Sequence, residues 1–162
     1  MTHRLFSTDD SRALTLLRLT LALVMLPHGA QKALGWFGGA GPAGTIDVLG
    51  QHFGIPATLA VLAVGVEFLA PLALLLGVGT RLAALALAGQ MVVAASFHRA
   101  NGFFMNWSGT QAGEGFEYHL LYIGAALALV LAGGGAWSLD RALAGRRADV
   151  ETPAVPRLRR AA

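Results

Sequence analysis

His28, Gln31 and Lys32 stand at i, i+3 and i+4 within "LVMLPHGAQKAL", at the end of an apolar run long enough to cross a membrane. On a helix that spacing puts an imidazole, an amide and an ammonium on one face. Glu67 is the only charge in a second apolar run, Gln90 lies halfway along a third, and His98 closes that third run. Glu117 and His119 open a fourth. Read as helices crossing one bilayer, these runs bring His28, Lys32, His98, Glu117 and His119 to similar depth near one end. Gln90 extends the set inward. Ionisable groups inside a membrane are costly and mark sites by default. The bland alternative is a scatter of interfacial histidines with Lys32 reaching up to the headgroups; convergence of the whole set favours a site.

Imidazoles beside carboxylates are proton-transfer equipment. They also suit a quinone headgroup, whose carbonyls accept hydrogen bonds and whose reduction consumes protons. Two histidines on neighbouring helices could instead ligate a haem b iron. His28, His98 and His119 with Glu117 could take a divalent metal, but no pair has H-x-x-x-H or H-E-x-x-H spacing, so no metal ligand is assigned. Arg18 lies two turns into the first run, and Glu67 sits near the middle of the second. At ~1.5 Å of rise per residue their depths differ by less than an arginine's reach, which predicts an Arg18–Glu67 pair. Such a pair would hold Glu67 ionised beneath the site, or act as a purely structural bridge.

The elements that must position these groups are helices. Of 162 residues, 55% are hydrophobic and 13% charged, against roughly 25% charged in a soluble domain. The mean hydropathy is +0.58. A membrane span needs about 20 mostly apolar residues, and four candidates follow: 13–34, 56–77, 80–97 and 117–139. The expected fold is all-α: four transmembrane helices in an antiparallel bundle over 13–145, with a short interfacial helix in the first outer loop. Ser11 is a candidate cap for the first helix, and Pro56 suits the start of the second. "GVGTR" makes a tight turn between spans two and three. In the loop from Gly35 to Ile55, Ile46, Leu49 and Phe53 recur at helical spacing. Ala84 with Ala88, and Gly124 with Ala128 and Ala132, are small residues at helix-contact spacing. Residues 1–12 read as a short N-terminal segment and 146–162 as a basic, disordered tail.

Net charge is +3 and pI about 10.2, yet six of the twelve basic residues follow position 140, and Arg4 and Arg12 lie at the other terminus. Basic ends on a hydrophobic body are topology signals, not a nucleic-acid surface. Arg4, Arg12, Arg81, Arg141, Arg146 and Arg147 place both termini in the cytoplasm, with only Lys32 and Arg99 toward the far side. Aromatic residues from Trp36 to Tyr122 crowd that far side, as a cap or an interface belt. The chain has no cysteine, which excludes thiolate chemistry and Cys-ligated clusters of its own. Arg18 interrupts the first apolar run, so a cleaved signal peptide is not expected.

In its order of motifs the chain resembles the DoxX family of small bacterial membrane proteins. The carriers are "LRLTLALVMLPHGAQKALGWFGG", "GIPATLAVLAVGVEFLAPLALLLGVGTRLAALAL", "NGFFMNW" and "GEGFEYHLLYIGAALALVLAGGGAWSLDR", within residues 12–145. The resemblance implies a four-helix protein of the bacterial inner membrane. The family takes its name from a subunit of a thiosulfate:quinone oxidoreductase, some members are associated with oxidant resistance, and most have no established activity. The positions carried over are Arg18, His28, Lys32, Glu67, Arg81, His98, Glu117 and Asp140, with Arg81 and Asp140 expected to pair at the cytoplasmic edge. The expectation is a redox-associated membrane protein holding a quinone or similar small molecule in an outer polar site of His28, Lys32, Glu67, Gln90, His98, Glu117 and His119. Its partners would be the lipid bilayer and a soluble redox protein or a second copy of the chain. A non-enzymatic scaffold or assembly factor is the second reading, because related four-helix families include cargo receptors and assembly factors. A small transporter is the third, with Arg18, Glu67 and Gln90 giving only a thin inner trail.

Overall fold

The computed structural model describes residues 8–144, so Arg4, Arg146, Arg147 and the expected tail lie outside the described residues. Ser11 caps α1 (Arg12–Leu34), its side chain accepting from the Leu14 N–H at 3.4 Å. A one-turn 3-10 helix at Trp36–Gly38 leads to the short helix α2 (Gly41–Phe53). Next come α3 (Ala57–Leu76), α4 (Thr80–His98) with a 3-10 extension at Arg99–Asn101, and α5 (Glu117–Ala132). Residues 139–144 are helical again, and no strand occurs among the described residues.

α1, α3 and α4 are each long and apolar enough to cross a membrane, and α5 is a shorter apolar helix. Its 16 residues span about 24 Å at 1.5 Å of rise per residue. The apolar run was expected to stay helical to 139, but Gly133 and Gly135 adopt φ of 89° and 84° and end the helix at Ala132. Backbone there folds inward, and Gly133, Gly134, Gly135 and Ser138 are buried.

α1 packs on α3 and α4 on α5, with α3 against α4 closing the group. Small side chains at the crossings, Ala22, Ala60, Ala84 and Ala126, are completely buried and bring backbones close. Leu21, Met25, Leu74, Leu87, Tyr122 and Leu129 fill the centre. Large apolar side chains also cover the outside, as at Leu69, Leu121 and Leu131. An apolar shell of this extent needs lipid or protein around it. The small-residue stripe expected on α5 is not its contact face: Gly124 is exposed, and Tyr122, Ala126 and Leu129 point inward instead.

One end of the molecule is built on arginines. Arg18, 1% exposed, does not reach Glu67. Its Nε donates to the Gly134 carbonyl at 2.9 Å, Nη1 to Leu74 and, at 2.8 Å, Leu75, and Nη2 to Trp137 at 2.7 Å. Depth along a helix predicts height and not direction, and the last carbonyls of α3, which lack helical donors, lie nearer. Gly77 follows with φ 67°, and a Cβ there would meet Ser138 at 2.6 Å and the Arg18 guanidinium carbon at 3.1 Å.

Asp140 serves the other side of the same turn. Its carboxylate accepts from the Gly79 N–H at 2.7 Å and the Thr80 N–H at 2.9 Å, capping α4 from a distance in sequence. Arg81, expected to pair with Asp140, donates to the carbonyls of Val130 and Leu131. Asp140→Ala should therefore cost about 1 kcal/mol, the usual worth of an N-cap. It should lower the thermal midpoint in detergent, and Asp140→Asn should lower it less. Nearby, Arg141 pairs with Asp10 and holds its carboxyl below the usual range, so this surface tie is present above that range and lost as pH falls through the depressed value. Trp137 also lies at this end, exposed with Arg12 over its ring, an aromatic that the sequence did not single out.

Candidate functional site

At the opposite end, α1 and α3 touch at Gly29. A Cβ on Gly29 would lie 2.2 Å from the Glu67 carbonyl oxygen and 2.7 Å from the Phe68 Cα, so only glycine permits this crossing. Lys32 stands one turn further along α1. Helical side chains lean toward the N-terminus, and the long stem carries its ammonium back onto Glu67, with which it forms an ion pair. From α4, the Gln90 amide donates to the second Glu67 oxygen at 2.6 Å. A carboxylate only 5% exposed is thus held from two helices, as burial of a charge requires.

This cluster forms the floor of a cavity of about 470 Å³. Gln31 and Lys32 line it from α1, Thr45, Val48, Leu49 and Phe53 from α2, Val64 and Glu67 from α3. Gln90, Val93, Phe97 and His98 line it from α4. Ala40, Ile55, Ala63 and Ala94 complete a mostly apolar lining, so the polar groups act as fixed points in a greasy wall. His98 Nδ1 donates to the Ala94 carbonyl at 2.9 Å. The Gln90 carbonyl oxygen is buried with no hydrogen-bond partner among the described residues.

The seven expected site residues divide. Lys32, Glu67, Gln90 and His98 line one cavity. His119 is buried behind it, its ring against that of His98 with centroids 4.6 Å apart and planes tilted by 39°. Glu117 belongs elsewhere: it accepts from the Met105 N–H at 3.0 Å and the Trp107 indole at 3.3 Å, ordering the loop of residues 102–116. His28 is exposed on the outer side of α1. The buried stripe runs through Met25, Gly29 and Ala30, and a short imidazole just outside it cannot reach back as Lys32 does.

The His98 and His119 rings lie closer together than an iron carrying one imidazole on each face would set them, so as placed they do not bracket the haem considered from sequence. Among the described residues no group of three or more His, Asp or Glu side chains is placed to hold a metal ion. Gly29 and Thr45 were not found as site residues from sequence. Only the small residue between His28 and Lys32 hinted at the first, and nothing distinguished the second from other loop threonines.

A family model described as DoxX matches residues 13–107, more than half of the chain. No curated protein matches. No solved structure matches either.

Proposed function

The chain belongs to the DoxX family, and from that premise we propose that this multi-pass membrane protein binds a quinone headgroup, or a similar small carbonyl compound, in the cavity over Glu67. The observation that carries this reading is the buried Glu67 carboxylate, held by Lys32 and Gln90 beneath a mostly apolar chamber. Its volume falls in the range of small-molecule sites, roughly 300–1,000 Å³. A quinone ring is apolar and flat with an accepting oxygen at each end. Lys32 and the Gln31 amide line the cavity from α1, and the Gln90 amide and His98 line it from α4. In a redox role the quinone takes two electrons from the redox centre of a partner protein, since this chain has no cysteine to hold a cluster. It takes two protons as well, and Lys32 and His98 are the groups on the wall suited to deliver them.

The topology proposed with it has four spans in the bacterial inner membrane, α5 completing its crossing through the non-helical segment 133–138. Arg12, Arg81 and Arg141 at one end support cytoplasmic termini, with the cavity toward the outside. Glu67→Gln should leave insertion intact and weaken binding of a short-chain ubiquinone by about tenfold or more, read by quenching of tryptophan fluorescence in nanodiscs. Unchanged binding in that variant removes the cavity from the account.

A scaffold or assembly role is the second reading, favoured by the ordered loop 102–116 with Phe104 and Trp107 turned outward. It expects replacements in "NGFFMNWSG" to abolish function while His98 variants keep it. The transporter reading has less support, because Leu21, Leu74, Leu87 and Leu129 pack an apolar plug between Glu67 and the arginine end.

A further inference from the structure

The wall between α2 and α4 differs from the rest of the cavity. α2 rests on α1 and α3, and it meets α4 through Phe53 on Phe97, with ring centroids 4.6 Å apart. Phe53 and Val48 of α2, and Phe97 and Val93 of α4, all line the cavity. The same four are exposed on the outside by 42, 46, 36 and 50% respectively. A side chain that faces both the chamber and the exterior marks its rim, and between α2 and α4 these rim side chains are all apolar. The opposite face of α2 carries Asp47 and Gln51, both exposed. A helix with one polar and one apolar face settles at the headgroup boundary with its apolar side down. The opening between α2 and α4 then lies at the level of the acyl chains, not of water.

Resting on the quinone reading above, we infer that the ligand is a membrane-dissolved compound with a long apolar chain, and that it enters sideways from the bilayer between α2 and α4. The polar head reaches Lys32 and Gln90, and the chain stays between the Val48–Phe53 edge and the Val93–Phe97 edge, continuing into lipid. Phe53 against Phe97 is the contact that must part to admit the head. A water-soluble ring compound without a chain gains nothing from this rim. A charged metabolite would lose hydration on passing it.

The chain has no native cysteine, so the double variant Phe53→Cys/Phe97→Cys carries the only two thiols. They are bridged by a short bis-methanethiosulfonate reagent in nanodiscs. The probes are decylubiquinone and the same benzoquinone ring without its chain, read by tryptophan quenching against nanodiscs lacking protein. On the wild type, the decyl compound should bind about tenfold or more tighter than the chainless ring. Bridging should slow its association by about tenfold or more, with recovery once the bridge is reduced and the reductant removed. Equal binding of the two compounds, or association indifferent to the bridge, overturns the sideways route and leaves the cavity reading standing. If the wild type binds neither compound, the quinone reading falls and this inference falls with it. The chain-length comparison needs no variant, so it decides the matter even if the double variant fails to fold.

Discussion

Arg18→Met should lower the thermal midpoint of the detergent-solubilised protein by about 10 °C, the shift expected for about 3 kcal/mol in a chain of this size. The guanidinium is fully buried and donates to carbonyls from two separate segments, the end of α3 and the Gly134–Trp137 turn. Methionine fills most of the volume but donates nothing. The carbonyls of Leu75, Gly134 and Trp137 would lose these donors, and a buried orphan costs about 1–3 kcal/mol each. Leu74 is less affected, because its carbonyl also accepts from the Gly77 N–H at 3.1 Å. Arg18→Lys should recover less than half of the loss, since a single ammonium on a shorter stem cannot serve both segments. A shift of only about 2 °C would show that water reaches these carbonyls when the side chain is removed. The same substitution should leave quinone affinity nearly unchanged in the protein that remains folded, because Arg18 does not contact Glu67.

Gly29→Ala should also destabilise the protein, by about 2 kcal/mol, although alanine is the better helix former. The added methyl meets the Glu67 carbonyl and the Phe68 Cα, both backbone atoms that no rotamer change can move aside. α1 and α3 must separate, and the Lys32 ammonium is withdrawn from Glu67 at the same time. Loss of stability and loss of ligand affinity should therefore appear together. Gly89→Ala supplies the contrast, since a Cβ there meets nothing within 4 Å. That variant should be neutral or slightly more stable. Equal midpoints for the two alanine variants would mean that the crossing yields more easily than close packing allows.

Much of the architecture is legible in the sequence because its signals are local. Ser11, the apolar runs, "GVGTR" and the spacing of Leu49 and Phe53 each act over a few residues, and the helices lie where those signals put them. The end of α5 is an exception: hydropathy continues through "LAGGGAWSL", yet backbone freedom at Gly133 and Gly135 outweighs it. Lys32, Glu67 and Gln90 could be grouped by depth alone. Their actual bonds could not be read that way, because depth says nothing about which way a side chain turns. Arg18 was expected beneath Glu67 and instead turns to the α3 terminus. Lys32 takes Glu67, the partner expected for Arg18. His28 and Lys32 differ in reach more than in position, so a shared face in sequence becomes two different surroundings in the fold.

The central claim is that Lys32, Glu67 and Gln90 form the floor of a quinone-type site. It is tested most directly by mass spectrometry of the organic extract of the protein purified from its own membranes, with an oxidised-minus-reduced absorption spectrum taken on the same sample. The account predicts a quinone retained by the wild type in near-stoichiometric amount and absent from Glu67→Gln protein that is otherwise intact. Extracts containing only bulk lipid from both proteins, with a featureless spectrum, would contradict it.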